Sequence, residues 1–139
     1  MVDEVRVLRL LRRLTDDLGV LADAQAAAPA QRSDPLWLRG VKYTFVTAIE
    51  SCVDVAQHIC AAEGWGPPRD NGHAIELLGR HGVLEPELAA SMRRAVGFRN
   101  VLVHDYVDVD DRIVLAQLEA PSDLKRYAHQ VSVWLAPRR

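Results

Sequence analysis

Val41-Lys42-Tyr43-Thr44-Phe45-Val46-Thr47-Ala48-Ile49-Glu50-Ser51-Cys52-Val53-Asp54-Val55-Ala56-Gln57-His58-Ile59-Cys60-Ala61-Ala62 decides the fold. Its polar side chains Tyr43, Thr47, Glu50, Asp54 and His58 recur every three or four positions in an otherwise apolar run. That period belongs to an α-helix, not to a strand. Pro35 suits the first turn of this helix, and Gly64-Trp65-Gly66-Pro67-Pro68 ends it. The polar stripe is read in two ways: as a solvated helix face, or as the floor of a cleft.

The same periodicity extends to both sides. Val7, Leu10, Leu11, Leu14, Leu18 and Leu21 make an apolar stripe for a first helix that fades into Ala26-Ala27-Ala28-Pro29, where a loop opens. A short helix is predicted from about Gly72 to Arg80, with Gly82 just past its end. Glu85-Pro86-Glu87 starts the next, which carries Leu88, Met92 and Val96 on one side. Asp108 to Arg112 reads as a turn, and Ile113-Val114-Leu115 as a short extended piece with nothing to pair with. A last helix begins at Pro121 or Ser122 and is marked by Leu124, Tyr127, Val131, Trp134 and Leu135. The expectation is one all-α domain over residues 1–139, a bundle of about five helices with an up-and-down core and a short third helix.

Bulk properties narrow the function. The 139 residues are 49% hydrophobic and carry a net charge of −2, so any nucleic-acid contact has to be local. Arginine supplies nearly all the positive charge, Lys42 and Lys125 being the only lysines. Arg93 and Arg94 read as a solvated face or as an extension of a phosphate-binding patch. No apolar run spans a bilayer and no secretion signal opens the chain, so a cytoplasmic protein without membrane contact is expected. Cys52 and Cys60, eight positions apart in one helix, stand about 12 Å from each other, too far for a disulfide. The five histidines lack zinc-ligand spacing, and nothing calls for a metal or a cofactor. Trp37 and Trp134 are expected to pack; Trp65 admits packing or stacking on a base.

The chemistry concentrates in Arg99-Asn100-Val101-Leu102-Val103-His104-Asp105-Tyr106. Arginine grips phosphate oxygens with a rigid fork, and histidine moves protons near neutral pH. On an ideal helix Arg99 and His104 are turned about 140° apart. They converge if the helix ends or unwinds near Val103, or if two copies of the motif meet across a dimer. Asn100 is placed to orient the histidine or the phosphate, or to make a cap-like hydrogen bond. Asp54 is the supporting candidate on the polar stripe, pairing with Arg99 or steering His104.

The order R-N-x3-H-x-Y resembles the motif of the HEPN superfamily of small helical ribonucleases, and of its HepT-type toxins in particular. The likeness runs from Val41 to Tyr106: the long helix with Ala48-Ile49-Glu50 and Val53 to Ile59, the loop Gly64 to Arg69, then Gly82 to Leu88 and Ala95 to Asn100. The resemblance implies a HEPN bundle that works as a homodimer and cuts RNA without metal. In it, His104 handles protons while the RNA 2′-hydroxyl attacks the neighbouring phosphate, leaving a 2′,3′-cyclic phosphate. Arg99 holds that phosphate. The resemblance further implies an MntA-type nucleotidyltransferase antitoxin as partner, with Tyr106 as the hydroxyl that receives AMP. DNA is not an expected substrate.

Two other readings stand beside this one. The chain could be a catalytically inert HEPN adaptor or substrate-binding subunit of a nucleotidyltransferase, or a helical protein with a ligand pocket and no RNA role. Tyr106 likewise admits plain packing or contact with RNA.

Overall fold

A computed structural model of the chain describes residues 1–104, 109–119 and 121–138. The described elements are all helical: α1 (Glu4–Gln25), α2 (Pro29–Arg32), α3 (Pro35–Glu63), α4 (Asn71–Arg80), α5 (Pro86–His104), α6 (Asp111–Glu119) and α7 (Ser122–Leu135), closed by a 3-10 turn (Ala136–Arg138). None is long and apolar enough to cross a membrane.

Local chemistry sets the main boundaries. Asp3, Asp34 and Asp70 cap α1, α3 and α4, their carboxylates accepting from the N–H groups of Arg6, Leu36 and His73. Pro35 occupies the first turn of α3, where its missing N–H costs nothing. At the other end Gly64 sits at φ 73°, a left-handed conformation that favours glycine, and both its N–H and that of Trp65 return to the Cys60 carbonyl. Gly82, at φ 79°, lies just beyond α4, as the sequence reading placed it.

α3 touches each of the other six helices. α1 packs against it, α4 and α5 pack against both it and one another, and α7 meets α1 and α5. Leu14, Leu21, Ile49, Ile59, Leu88, Met92 and Leu102 are fully buried between these helices. Each contributes about 1.5–3 kcal/mol by leaving water. Tyr127 of α7 is buried too, and its hydroxyl donates to the Cys52 carbonyl at 2.7 Å. That bond satisfies a polar atom that would otherwise be costly to bury. Cys52 and Cys60 are free thiols in the core; burial pushes both thiol pKa values up.

All five expected helices form, and two short ones join them. Residues 113–115 are helical within α6, not extended, because Val114 and Leu118, one turn apart, both bury while Ile113 stays exposed. α2 forms where a loop was expected. Arg32 fastens it, donating to the carbonyls of Gln25 and Ala27 and pairing with Glu119 at 2.9 Å. The indoles pack: Trp65 stacks on His81 with ring centres 4.1 Å apart and lies edge-on to Trp134. Trp37 rests against the core.

Candidate active site

α5 stays in the core as far as Leu102, but the row that begins at Leu88 opens to solvent before that. Leu88, Met92 and Val96, four residues apart, are buried. The next positions on that face are Arg99, whose side chain is 21% exposed, and Val103, at 41%. The guanidinium thus sits at the rim of the bundle, its stem covered and its end within reach of solvent.

Two neighbours fix it. Arg99 Nη2 donates to Glu50 Oε1 of α3 at 2.7 Å, and Nη1 donates to Asn100 Oδ1 at 3.1 Å. Nε is buried and has no acceptor among the described residues. The arginine is positioned on two sides, and added negative charge at its Nη groups would be stabilised.

His104 is the last residue of α5 and is exposed. The helix runs unbroken through Val103, so the convergence by early unwinding is not used. Asn100, one turn before His104, is turned only about 40° from it along the helix. It contacts Arg99 and shares the face of His104, so it links the two parts of the motif.

The structure divides the polar stripe of α3 among its neighbours. Thr47 donates to Asp17 of α1 at 2.7 Å, and Glu50 turns to α5. His58 Nε2 accepts from the Asp3 N–H at 2.9 Å, tying α3 to the start of α1. Burial, with help from the nearby Arg6 charge, lowers the His58 pKa. Asp54 is exposed and makes no hydrogen bond or ion pair among the described residues. The acid on Arg99 is therefore Glu50, one turn earlier on the same stripe, and the expected Asp54 pairing does not form. Glu50 was visible in the stripe, but the sequence carried no signal to separate it from Asp54.

Arg93 does not extend the site, since Glu76 of α4 holds it at 3.0 Å; Arg94 donates to Ser91. Asp105 and Tyr106 lie outside the described residues.

Comparison with known proteins gives the family. The sequence profile of the family described as ribonuclease HepT-like matches residues 6–131. The chain is similar to a candidate RNase of Archaeoglobus fulgidus, 31% identical over 107 residues, which are 77% of this chain and 80% of that protein. It is also similar to the mRNA nuclease HepT of Shewanella oneidensis, 32% identical over 66 residues, 48% of this chain and 50% of the other. Its fold matches the tri-AMPylated Shewanella oneidensis HEPN toxin solved in complex with an MNT antitoxin, with a TM-score of 0.86 at 19% identity, covering 96% of this chain and 99% of that one. On a profile match spanning most of its length and a relative of this closeness, the chain belongs to the ribonuclease HepT-like family.

Proposed function

We propose that this protein is an endoribonuclease toxin whose site is built from Arg99, Asn100 and His104, and that it works without a metal ion. The observation that carries the reading is the guanidinium at the rim of the bundle, held by Glu50 and Asn100, on a continuous helix that ends in an exposed histidine. The family membership supplies the reaction class.

In this mechanism the phosphate of the scissile bond takes the place of Glu50 on the Nη groups of Arg99. As the RNA 2′-oxygen attacks phosphorus, His104 accepts its proton. The P–O5′ bond breaks, a 2′,3′-cyclic phosphate forms, and the departing 5′-oxygen takes a proton. Arg99 stabilises the charge that grows on the non-bridging oxygens, the kind of contribution that often dominates catalysis.

The site works as a homodimer. Arg99 and His104 point about 140° apart on one unbroken helix, and the apolar face of α5 emerges beside them at Val103. A second copy laid along this end would cover Val103 and bring its own His104 towards the first Arg99. One imidazole then accepts the 2′-proton while the other protonates the leaving oxygen.

The regulation proposed is AMP transfer to Tyr106 by an MntA-type nucleotidyltransferase. The phenolic oxygen attacks the α-phosphate of ATP and pyrophosphate leaves. The bound phosphate, two residues beyond His104, then competes with RNA for Arg99. Support comes from the AMPylated state and antitoxin complex of the Shewanella oneidensis neighbour.

A second reading, an inert subunit of a nucleotidyltransferase, is favoured by one observation: Glu50 already neutralises Arg99. Expression of this chain alone separates the two. Growth arrest that His104→Ala abolishes supports the nuclease; normal growth with ample unmodified protein supports the inert subunit.

A further inference from the structure

The positive charge of this chain is unevenly placed. Arg6, Arg9, Arg12 and Arg13 are all exposed on α1, and none has an ion-pair partner among the described residues; Arg6, Arg9 and Arg13 gather around one depression. Elsewhere Arg80 and Arg93 are held by Glu76, Arg112 by Asp110 and Arg126 by Glu85 and Glu87, while Arg39, Arg69, Arg94 and Arg138 lack an ion pair among the described residues but are scattered over other elements. In a protein of net charge −2, three guanidinium groups thus meet around one depression, with Asp3 and Asp17 at the two ends of their row.

Contacts already described fix where that surface faces. Asp3, Arg6, Leu10, Arg13 and Asp17 follow at spacings of three or four and share one side of α1. Both ends of this row touch the polar stripe of α3, Asp3 at His58 and Asp17 at Thr47. Glu50, on that same stripe, holds Arg99 on its other flank. The stripe is thus the floor of a trough, with Arg6 and Arg13 along one wall and Arg99 on the opposite one. Arg9 joins them around a shallow depression of about 350 Å³ that they line with Asp3, Val5 and Leu10.

We propose that Arg6, Arg9 and Arg13 form a second phosphate-binding wall, which takes the sugar–phosphate backbone of the RNA flanking the bond held at Arg99. This rests on the ribonuclease reading and extends it. A guanidinium without a carboxylate partner exchanges only water and counterions for phosphate, so each contact is gained without breaking a protein ion pair. The spacing suits a chain more than a single anion: the seven residues from Arg6 to Arg13 rise about 10 Å along the helix, far beyond the reach of one phosphate group. Backbone recognition of this kind carries no base preference.

The test is binding of a fluorescent single-stranded RNA to the full chain carrying His104→Ala, so that the RNA stays intact, followed between about 50 and 200 mM salt. Adding Arg6→Ala, Arg9→Ala and Arg13→Ala is expected to weaken binding at least about tenfold and to flatten the log–log salt slope by about 2. Lysines at the same three positions restore the slope. A control with the same charge change, Arg80→Ala, Arg112→Ala and Arg126→Ala, leaves the slope near its starting value. Equal losses in both triple variants, or unchanged binding in the α1 variant, would overturn the proposal. So would wall-dependent capture of polyglutamate in preference to RNA, which would make this a docking surface for an acidic protein. Wall-dependent RNA binding without any cutting by the intact chain sinks the nuclease reading and spares the wall. Cutting with wall-independent binding does the reverse.

Discussion

Arg99 on α5 reaches across to Glu50 on α3 and closes an ion pair at 2.7 Å, one turn before the buried Leu102. With side chains 21% and 39% exposed, such a pair adds only about 0.2–1 kcal/mol to stability. Its larger consequence is to fix where the guanidinium lies and to set a carboxylate in competition with any phosphate that arrives there.

Two substitutions separate these effects. Glu50→Gln keeps an acceptor for Arg99 and removes the competing charge, so KM for RNA falls about two- to fivefold by the loss of that weak pair. Glu50→Ala frees the guanidinium to swing, and kcat falls at least about tenfold, as misplaced groups lose their orientation. Steady-state cleavage of a defined RNA reads both.

Arg99→Lys retains the charge but not the fork. With one point charge in place of Nη1 and Nη2, kcat/KM drops about 10²–10³-fold. Because the Arg99 end lies at the rim, thermal unfolding shifts little, which distinguishes this loss from misfolding.

Stability rests elsewhere, and Tyr127→Phe shows it. The change removes the hydroxyl that donates to the Cys52 carbonyl at 2.7 Å in the core. Unfolding free energy falls by about 1–2 kcal/mol, while the cleavage rate of the folded protein is unchanged. Urea titration beside an activity assay checks both halves.

Acid should loosen the start of α1. His58 accepts from the Asp3 N–H and must be neutral to do so, and burial with the Arg6 charge holds its folded pKa below the ordinary 6.5. The unfolded chain therefore binds the proton more readily. The stability linked to His58 is present above pH 6.5 and is lost as pH falls through the lower folded value. In urea titrations across that window, His58→Ala removes this part of the pH dependence; an identical slope in both proteins would contradict the assignment.

How much was legible follows from which interactions are local. The stripes of α1, α3, α5 and α7, and Gly64 and Gly82, are set within a few residues, and the sequence displays them; the caps Asp3, Asp34 and Asp70 of α1, α3 and α4 are just as local but were not singled out. α6 was hidden because Ile113-Val114-Leu115 opens on two β-branched residues, and its helical character depends on Val114 and Leu118 finding the core. Arg99, Asn100 and His104 stood out by their chemistry. Glu50 and Asp54, by contrast, are one turn apart on one stripe, and only the height at which α5 crosses α3 decides which of them meets Arg99. Arg93 resembled a free cation until α4 brought Glu76 to it.

The most direct test of the account is the product formed from one RNA by the purified chain, free of partner and confirmed unmodified by intact mass. Alongside run His104→Ala, an EDTA-treated sample, and the same RNA with a single 2′-deoxy sugar before the cleaved bond. The account predicts a 2′,3′-cyclic phosphate and a 5′-hydroxyl in the presence or absence of EDTA, and no product at that bond from His104→Ala or the deoxy substrate. Cutting at the deoxy position, or undiminished cutting by His104→Ala, would contradict it.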